Sequence, residues 1–222
     1  MTPPCPSIAG MATRHTGLFV AFEGGDGAGK STQVRLLADA LRRAGLDVLE
    51  TRQPGGTALG AALRDLVLHG DYVSPRAEAL LYAADKAHHV DTVIAPALAQ
   101  QRVVVTDRYV DSAIAYQGAG RDLGSDDVAT IQRWAVDGLV PDLTVVLDVD
   151  AGTGRSRRGN VHDRLEREGD AFHEAARQHF LALAEAHPDR YLVVDATLPP
   201  EEIHTLVLAR LHADGIAVGE AS

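Results

Sequence analysis

The chain has 222 residues, of which 45% are hydrophobic and 23% charged, so it can bury the core of one globular domain. Its formal net charge of −10 argues against a general binder of nucleic acids or of anionic membranes. One cysteine excludes an internal disulfide and suits a reducing compartment, and no apolar run approaches the length needed to span a membrane. We therefore predict a cytoplasmic protein that has neither nucleic-acid nor membrane partners.

The first sixteen residues hold three prolines and lack the basic start and apolar stretch of a signal peptide. We predict a disordered N-terminal extension over residues 1–16. A single domain is predicted to follow over residues 17–215, with a short C-terminal tail over residues 216–222.

The first predicted strand, residues 18–22, leads through a glycine-rich loop into a helix predicted over residues 32–44. The loop holds the pattern G-x-x-x-x-G-K-[ST], whose fixed positions are Gly24, Gly29, Lys30 and Ser31. The backbone N–H groups of such a loop face a polyphosphate, the lysine reaches its outer phosphates and the hydroxyl ligates Mg²⁺. The helix N-terminus also favours anions. The sequence therefore predicts a nucleoside triphosphate site with Mg²⁺, formed by Gly24, Gly25, Asp26, Gly27, Ala28, Gly29, Lys30, Ser31 and Thr32.

Four more apolar strands alternate with helices along the rest of the chain. The strands are predicted over residues 46–51, 102–106, 143–149 and 191–194. The helices are predicted over residues 58–68, 76–101, 126–136, 171–186 and 200–213. We expect Thr57 to cap the first of these helices, Pro96 to interrupt the second, and Ser125 or Asp126 to cap the third. This alternation is typical of an α/β fold, in which a five-stranded parallel sheet carries helices on both faces and binds ligands beyond the carboxyl ends of its strands.

A carboxylate that follows a buried strand would complete the Mg²⁺ site. Asp107 stands at the end of one predicted strand, and Asp148 or Asp150 at the end of another, so the sequence leaves two places for this group. We name Ser31 and Asp107 as the predicted metal-binding pair. The chain has no N-K-x-D motif for reading guanine, which argues against a GTPase.

Three arginines at predicted element ends or on one helix face indicate a second anion. Arg52, Arg64 and Arg108 could each be a solvated surface residue, but a guanidinium makes bidentate contacts with phosphate. Arg108 stands directly beside the predicted metal carboxylate. Together the three indicate that the molecule accepting a phosphoryl group is itself phosphorylated.

A basic segment over residues 155–167 holds five arginines in thirteen positions. Such a run of charge is usually a solvated face. Because it stands out against a net charge of −10 and is expected to lie opposite the phosphate loop, we interpret it as a closing lid over about residues 153–168. Its arginines would neutralise charge on the transferring phosphoryl group and exclude water.

Five segments, in order along the chain, match one family: residues 22–32, 51–57, 78–86, 107–118 and 163–166. On these segments the chain resembles the thymidylate kinases, P-loop nucleoside monophosphate kinases that make dTDP from dTMP and ATP. The segment 107–118, which reads Asp-Arg-Tyr-Val-Asp-Ser-Ala-Ile-Ala-Tyr-Gln-Gly, is the most specific, because other P-loop kinases do not share it. The resemblance implies a P-loop NTPase fold with a basic lid, ATP and dTMP as substrates, Mg²⁺ as cofactor, and a homodimer.

The resemblance also implies roles at the two phosphates. Lys30 and Ser31 would hold the ATP phosphates and Mg²⁺, and Asp26 would lie near the metal or the 3′-hydroxyl of the acceptor. Arg108 and Arg52 would hold the phosphate of dTMP. The residues predicted to take part in catalysis are Lys30, Arg108, Arg157, Arg158 and Arg164.

The nucleoside of dTMP receives its own set of implied contacts. Tyr82 would stack on thymine, while Arg64 and Gln117 would bond its polar edge. Tyr116 would pack against the sugar and disfavour a 2′-hydroxyl. Lys86 completes the predicted substrate contacts, whereas we expect Tyr109 to be a packing residue.

The chain departs from the family pattern at three positions near the acceptor. Gln53 replaces a glutamate, Lys86 replaces an arginine and so loses its planar fork, and Ala113 stands where serine or asparagine is usual. Each change should weaken acceptor recognition modestly. The loop also lacks an arginine at residues 27 and 28, and family members of that kind place the catalytic arginine in the lid.

Two other functions fit the same residues. A related deoxynucleotide or deoxynucleoside kinase with relaxed acceptor choice would keep the phosphate loop and change the base contacts. A non-catalytic ATP-binding sensor would keep the fold and bind ATP with little or no turnover.

Overall fold

The computed structural model describes residues 16–157 and 164–216. Five strands form one all-parallel sheet in the order β2-β3-β1-β4-β5, which confirms the predicted fold. The strands are β1 (Leu18–Gly24), β2 (Val48–Arg52), β3 (Val103–Asp107), β4 (Leu143–Asp148) and β5 (Tyr191–Asp195). The register pairs Phe22 and Arg52 with Asp107, so the ends of the three adjacent strands β1, β2 and β3 meet at one edge of the sheet.

Helices cover both faces of the sheet. They are α1 (Lys30–Arg43), α2 (Ala58–His69), α3 (Pro75–His89), α4 (Ala95–Ala99), α5 (Val110–Ala113), α6 (Ser125–Ala135), α7 (Ala151–Ser156), α8 (Asp170–Ala186) and α9 (Pro200–Ala213). Val20 and Phe22 of β1 pack with α1 and α9, whereas Phe19 and Ala21 pack toward α4 and Tyr109. The alternation of side chains along β1 therefore supplies the core on both faces.

The predicted interruption of the long helix lies just before Pro96. A π-helical segment, Val90–Ile94, joins α3 to α4, and Pro96 lies in the first turn of α4. Proline lacks an N–H and collides with the carbonyl four residues earlier in an ordinary helix. One wider turn before the proline accommodates that ring, and the chain continues as a helix.

A second π-helical segment, Ile114–Gly120, follows α5 in a stretch for which the sequence predicted neither a helix nor a strand. The predicted cap of the next helix is also wrong. Gly124, with φ 90°, occupies the N-cap of α6, and within the described part of the chain no side chain donates or accepts a capping hydrogen bond there. The positive φ explains why glycine fills this position.

Three predicted features lie wholly or mainly outside the described residues. They are the extension over residues 1–16, the tail over residues 216–222, and the middle of the lid, which includes Arg158.

Candidate active site

The glycine-rich loop joins β1 to α1, with Gly29 in a left-handed conformation at the N-cap of the helix. Lys30 is buried, and its Nζ donates hydrogen bonds to the carbonyl oxygens of Gly24 at 3.1 Å and Gly25 at 2.6 Å. The pKa of Lys30 is lowered to about 8, chiefly by burial and then by the charge of Arg108, against the opposing carboxylates of Asp26 and Asp107. An anion in the loop would stabilise the charged form of this amine further.

Ser31 and Asp107, the predicted metal pair, lie together. The Ser31 hydroxyl donates to Oδ2 of Asp107 at 2.5 Å. Asp148 instead accepts from Arg177 at 2.6 and 3.0 Å, and Asp150 caps α7 by accepting from the Thr153 N–H at 2.9 Å. Of the two places that the sequence left open, Asp107 is therefore the one beside the loop hydroxyl. A hydroxyl and a carboxylate are the hard oxygen donors that Mg²⁺ prefers.

Arg108 reaches from the end of β3 across to the loop. Its guanidinium donates to the Gly24 carbonyl at 3.0 Å, to Oγ of Ser112 at 2.8 Å and to the carboxylate of Asp26, and it lies 5.2 Å from the centre of the Tyr116 ring. Its φ of 69° is unusual for a residue other than glycine. Such strain is held in place by surrounding contacts.

Glu23 supplies part of that support, and neither Glu23 nor Ser112 received a role from the sequence. The fully buried Glu23 carboxylate accepts from the N–H groups of Tyr109 at 2.8 Å and Ser112 at 3.2 Å, and from the Ser112 hydroxyl at 2.5 Å. These bonds fix the turn that presents Arg108. Both residues lie inside segments that match the family, and this was the feature of the sequence that could have drawn attention to them.

An aromatic cavity opens beside Arg108. Its lining includes Tyr82, Tyr116, Gln117, Arg64 and Lys86, together with Asp26 and Arg108. Tyr116 packs against Phe172 and Phe180, and Lys86 Nζ lies 5.5 Å from the centre of the Tyr82 ring. The structure thus brings together the residues predicted to contact the acceptor nucleoside, while their individual roles stay predictions. Gln53 and Ala113, two of the departures from the family pattern, also line this cavity.

Lys86 is a buried amine. Desolvation lowers the pKa of Lys86 to about 8, with Arg108 acting in the same direction and the carboxylates of Asp85 and Glu23 opposing it. An arginine would stay charged at any pH the protein meets, whereas this lysine titrates near the physiological range.

Gln53 belongs to a buried polar cluster with His89 and Thr51. The Gln53 amide nitrogen lies 3.0 Å from Nδ1 of His89, and Nε2 of the same ring lies 2.7 Å from the Thr51 hydroxyl. Since an amide N–H₂ only donates, Nδ1 is the acceptor and the ring proton is on Nε2. Burial lowers the pKa of His89 to about 4, so the ring is neutral at neutral pH.

A cleft of about 400 Å³ connects the loop with the acceptor cavity. Arg52, Arg64 and Arg157 line it together with Lys30, Ser31, Asp107 and Arg108. Glu166, which had no predicted role, also lines this cleft. The basic residues predicted at separate points of the sequence thus meet at one edge of the sheet.

A neighbouring cavity of about 450 Å³ extends from the loop to the segment between β5 and α9. Its walls include Gly29, Thr32 and Arg157, together with the segment 196–200. Arg157 donates to the Ala196 carbonyl at 2.6 Å, which ties the start of the predicted lid to this wall. The sequence did not reveal this segment, because it carries neither charge nor a phosphate-binding pattern.

Arg164 does not face the phosphate loop. It donates to the carbonyl oxygens of Val67 at 2.8 Å and Val73 at 3.2 Å and to the buried carboxylate of Glu78. These contacts anchor the segment to α2 and α3. Its proposed part in catalysis is therefore not supported by its position, whereas Arg157 lines both cavities next to the loop.

Tyr109 lies in the core, as expected of a packing residue. It is fully buried, its ring meets that of Phe19 edge-on at 5.0 Å, and its hydroxyl donates to the Leu139 carbonyl at 3.2 Å.

Among the helices that the structure describes, none is long and apolar enough to cross a membrane.

Comparison with known proteins gives one result throughout. The family model for thymidylate kinase matches residues 22–207. The thymidylate kinase of Leifsonia xyli subsp. xyli is 54% identical over 206 residues, covering 90% of this chain and 97% of that protein, and the thymidylate kinase of Cutibacterium acnes is 55% identical over 197 residues, covering 88% and 96%. The crystal structure of thymidylate kinase from Ehrlichia chaffeensis superimposes with a TM-score of 0.74 at 31% identity and covers 88% of this chain and 98% of that one. These matches confirm the resemblance seen in the sequence segments, and the chain belongs to the thymidylate kinase family.

Proposed function

We propose that this protein transfers the γ-phosphoryl group of Mg·ATP to the 5′-phosphate of dTMP, giving ADP and dTDP. The observation that carries the proposal is the single cleft shared by Lys30 and Ser31 of the phosphate loop and by Arg52 and Arg108. One end of the cleft suits a triphosphate and the other suits a second phosphate. The adjoining aromatic cavity suits a planar base.

Transfer between these two phosphates requires positioning and charge neutralisation. The acceptor phosphate oxygen is already anionic near neutral pH, so no side chain has to remove a proton. Lys30 would exchange its loop carbonyl contacts for the phosphates of ATP, and Arg108 would hold the acceptor phosphate. Arg157, which lines the cleft beside the loop, would neutralise charge on the group in transfer.

Mg²⁺ fits the donors at the loop. Ser31 and Asp107 would hold it, and the bound cation would neutralise charge on the β- and γ-phosphates. The hydrogen bond between the two side chains brings a hydroxyl oxygen and a carboxylate oxygen close together.

The acceptor cavity favours dTMP. Tyr82 and Tyr116 would enclose the nucleoside, while Arg64, Lys86 and Gln117 offer polar contacts to the base. A non-catalytic sensor is not favoured, because the relatives that match most of the chain are named thymidylate kinase and both phosphate-binding ends are intact.

We further propose a cytoplasmic homodimer. Leu59 and Leu66 on α2, Leu80 on α3 and Trp134 on α6 are exposed apolar side chains on three adjacent helices. Exposed apolar side chains on neighbouring helices are typical of an interface between subunits.

The test is ADP release from Mg·ATP with dTMP, dUMP, dCMP and thymidine offered separately. We expect turnover with dTMP to exceed that with each other acceptor, and Lys30→Ala to lower kcat at least about 1000-fold while the circular dichroism spectrum stays unchanged. Equal use of several acceptors would replace the substrate assignment. Tight ATP binding without turnover of any acceptor would contradict the kinase assignment.

A further inference from the structure

Glu78 on α3 is a fully buried carboxylate outside the reacting groups of the site. Its Oε1 accepts from the side-chain amide of Gln117 at 2.8 Å and from Arg121 at 3.5 Å. Its Oε2 accepts from Arg121 at 3.4 Å and from Arg164 at 2.5 Å. Two guanidinium groups therefore hold this carboxylate in place while it bonds a residue of the acceptor cavity.

The contact with Glu78 decides which way the Gln117 amide points. An ionised carboxylate only accepts hydrogen bonds, so Gln117 must direct its N–H₂ group toward Glu78. Its carbonyl oxygen is then the end of the amide left to accept a hydrogen bond in the cavity that Gln117 lines. This orientation follows from chemistry and does not depend on telling nitrogen from oxygen in the side chain.

Two further side chains that line the cavity, Arg64 and Lys86, carry only hydrogen-bond donors at their polar ends. A base that forms hydrogen bonds with all three side chains therefore needs carbonyl oxygens to accept from Arg64 and Lys86, and an N–H to donate to the carbonyl oxygen of Gln117. Thymine and uracil offer this set, because N3–H lies between two carbonyl groups. Cytosine has a bare, accepting N3, which would face the accepting oxygen of Gln117.

We propose that Glu78 is a positioning residue that sets the base selectivity of the acceptor site by fixing the orientation of the Gln117 amide. This inference rests on the proposed phosphorylation of dTMP and adds to it the reason why an N3–H pyrimidine is preferred. Glu78 is not among the residues that line the acceptor cavity or the adjoining cleft, so it would act through Gln117.

The test compares kcat/KM for dTMP with kcat/KM for dCMP in the wild type and in Glu78→Gln. In the variant the residue at position 78 can accept or donate, so the Gln117 amide is free to turn. We expect the dTMP/dCMP ratio to fall about tenfold, the effect of one hydrogen bond of ordinary strength, with a raised KM for dTMP and a kcat within about threefold of wild type. The ratio is measured on one sample, so a smaller folded fraction cancels from it.

A double-mutant cycle separates positioning from general stability. If Glu78 acts through Gln117, Glu78→Gln should leave the ratio unchanged in a Gln117→Ala background. The matched control is Glu168→Gln. Glu168 also accepts a hydrogen bond from Arg121, at 2.5 Å, but it makes no described contact with Gln117. We expect this control to keep the wild-type ratio. An equal loss of selectivity in the control would overturn the proposal.

Glu78→Gln leaves two guanidinium groups facing a neutral amide, which can prevent folding. Glu78→Asp keeps the charge and lengthens the contact with Gln117, so it should fold and lower the ratio about threefold. An unchanged ratio in the folded variants, with dTMP turned over by the wild type, would overturn the role of Glu78 alone. A wild type that does not use dTMP would overturn the proposed function together with this inference.

Discussion

At Lys86 the acceptor cavity has an amine where the family pattern has an arginine. Its amine is buried beside Tyr82, and desolvation lowers its pKa to about 8. Only the charged form can donate all three hydrogen bonds and attract an electron-rich base. Acceptor recognition should therefore depend on pH in a range where an arginine would not.

We expect kcat/KM for dTMP, measured at saturating Mg·ATP, to fall above pH 8 as Lys86 loses its proton. Lys30 has a pKa of about 8 as well, but bound ATP phosphates would keep Lys30 charged under these conditions. Lys86→Arg should move the alkaline limb at least about one pH unit higher, because a guanidinium stays protonated. Superimposable profiles for the wild type and the variant would show that Lys86 does not contact the base in its charged form.

His89 ties the stability of the protein to pH. Its folded-state pKa of about 4 lies below the ordinary value of 6.5 because the ring is buried against Gln53 and Thr51. Between these two values the unfolded chain binds more protons, so the free energy of unfolding rises with pH. The contribution of His89 is fully present above pH 6.5 and is lost as the pH falls toward 4.

His89→Gln removes this titration along with some packing. We expect the difference in unfolding free energy between the wild type and the variant to shrink by about 2 kcal/mol between pH 7 and pH 4.5, as measured by urea denaturation. The comparison isolates His89, because every other titrating group is common to both proteins. If the unfolding free energies of the wild type and the variant changed with pH in parallel, His89 would not be buried in its neutral form.

At the scale of elements, the strands and the phosphate loop were readable from the sequence. β1, β3 and β4 are buried on both faces, and such strands appear as continuous apolar runs. The loop pattern gives both the turn and the start of α1. Thr57 was a correct cap, since its hydroxyl accepts from the Gly60 N–H at 2.9 Å. These features depend on residues close together in the chain.

The missed features depend on residues far apart in the chain. The π-helical segment Ile114–Gly120 holds Tyr116 against Phe172 and Phe180 of α8, which local propensity does not encode. The sequence shows that the run over residues 155–167 is basic, but it does not show where each side chain points. Arg157 and Arg164 were therefore both predicted to act in catalysis, although they contact different parts of the molecule.

Two glycines let α7 and the phosphate loop meet backbone to backbone. A Cβ on Gly154 of α7 would lie 2.5 Å from the Asp26 carbonyl oxygen, and one on Gly27 would lie 2.2 Å from the Gly154 carbonyl oxygen. This close approach positions Arg157, which follows α7 directly, beside the loop. The packing of one short helix therefore determines the shape of the nucleotide end of the cleft.

Gly154→Ala should push α7 away from the loop, because a carbonyl oxygen on rigid backbone cannot yield to a methyl group. We expect KM for ATP to rise about tenfold or more, with a smaller change in KM for dTMP, in steady-state assays. The control is Gly169→Ala, where an added methyl group meets no described atom within 4 Å. Equal KM values for ATP in the two variants would show that the contact between α7 and the loop is dispensable.

For the whole molecule, charge is distributed unevenly. The chain carries a net charge of −10, yet Arg52, Arg64, Arg108 and Arg157 line one cleft with Lys30. Two anionic nucleotides can be held there because the cations are concentrated in a partly desolvated groove, where field lines are focused. The acidic remainder of the surface would repel polyanions such as nucleic acids.

The proposed dimer surface can be tested by charge. Leu66 and Leu80 are 50% and 56% exposed on α2 and α3, which pack together next to α6 and its 85% exposed Trp134. The wild type should sediment with twice the 23.6 kDa mass of one chain. Leu66→Glu with Leu80→Glu should weaken association at least about 100-fold, because each dimer would bury four unpaired carboxylates.

Leu206→Glu on α9, at a similar 45% exposure on the other face of the sheet, should leave the dimer intact. A wild-type monomer, or equal dissociation in the control, would contradict an interface formed by α2, α3 and α6.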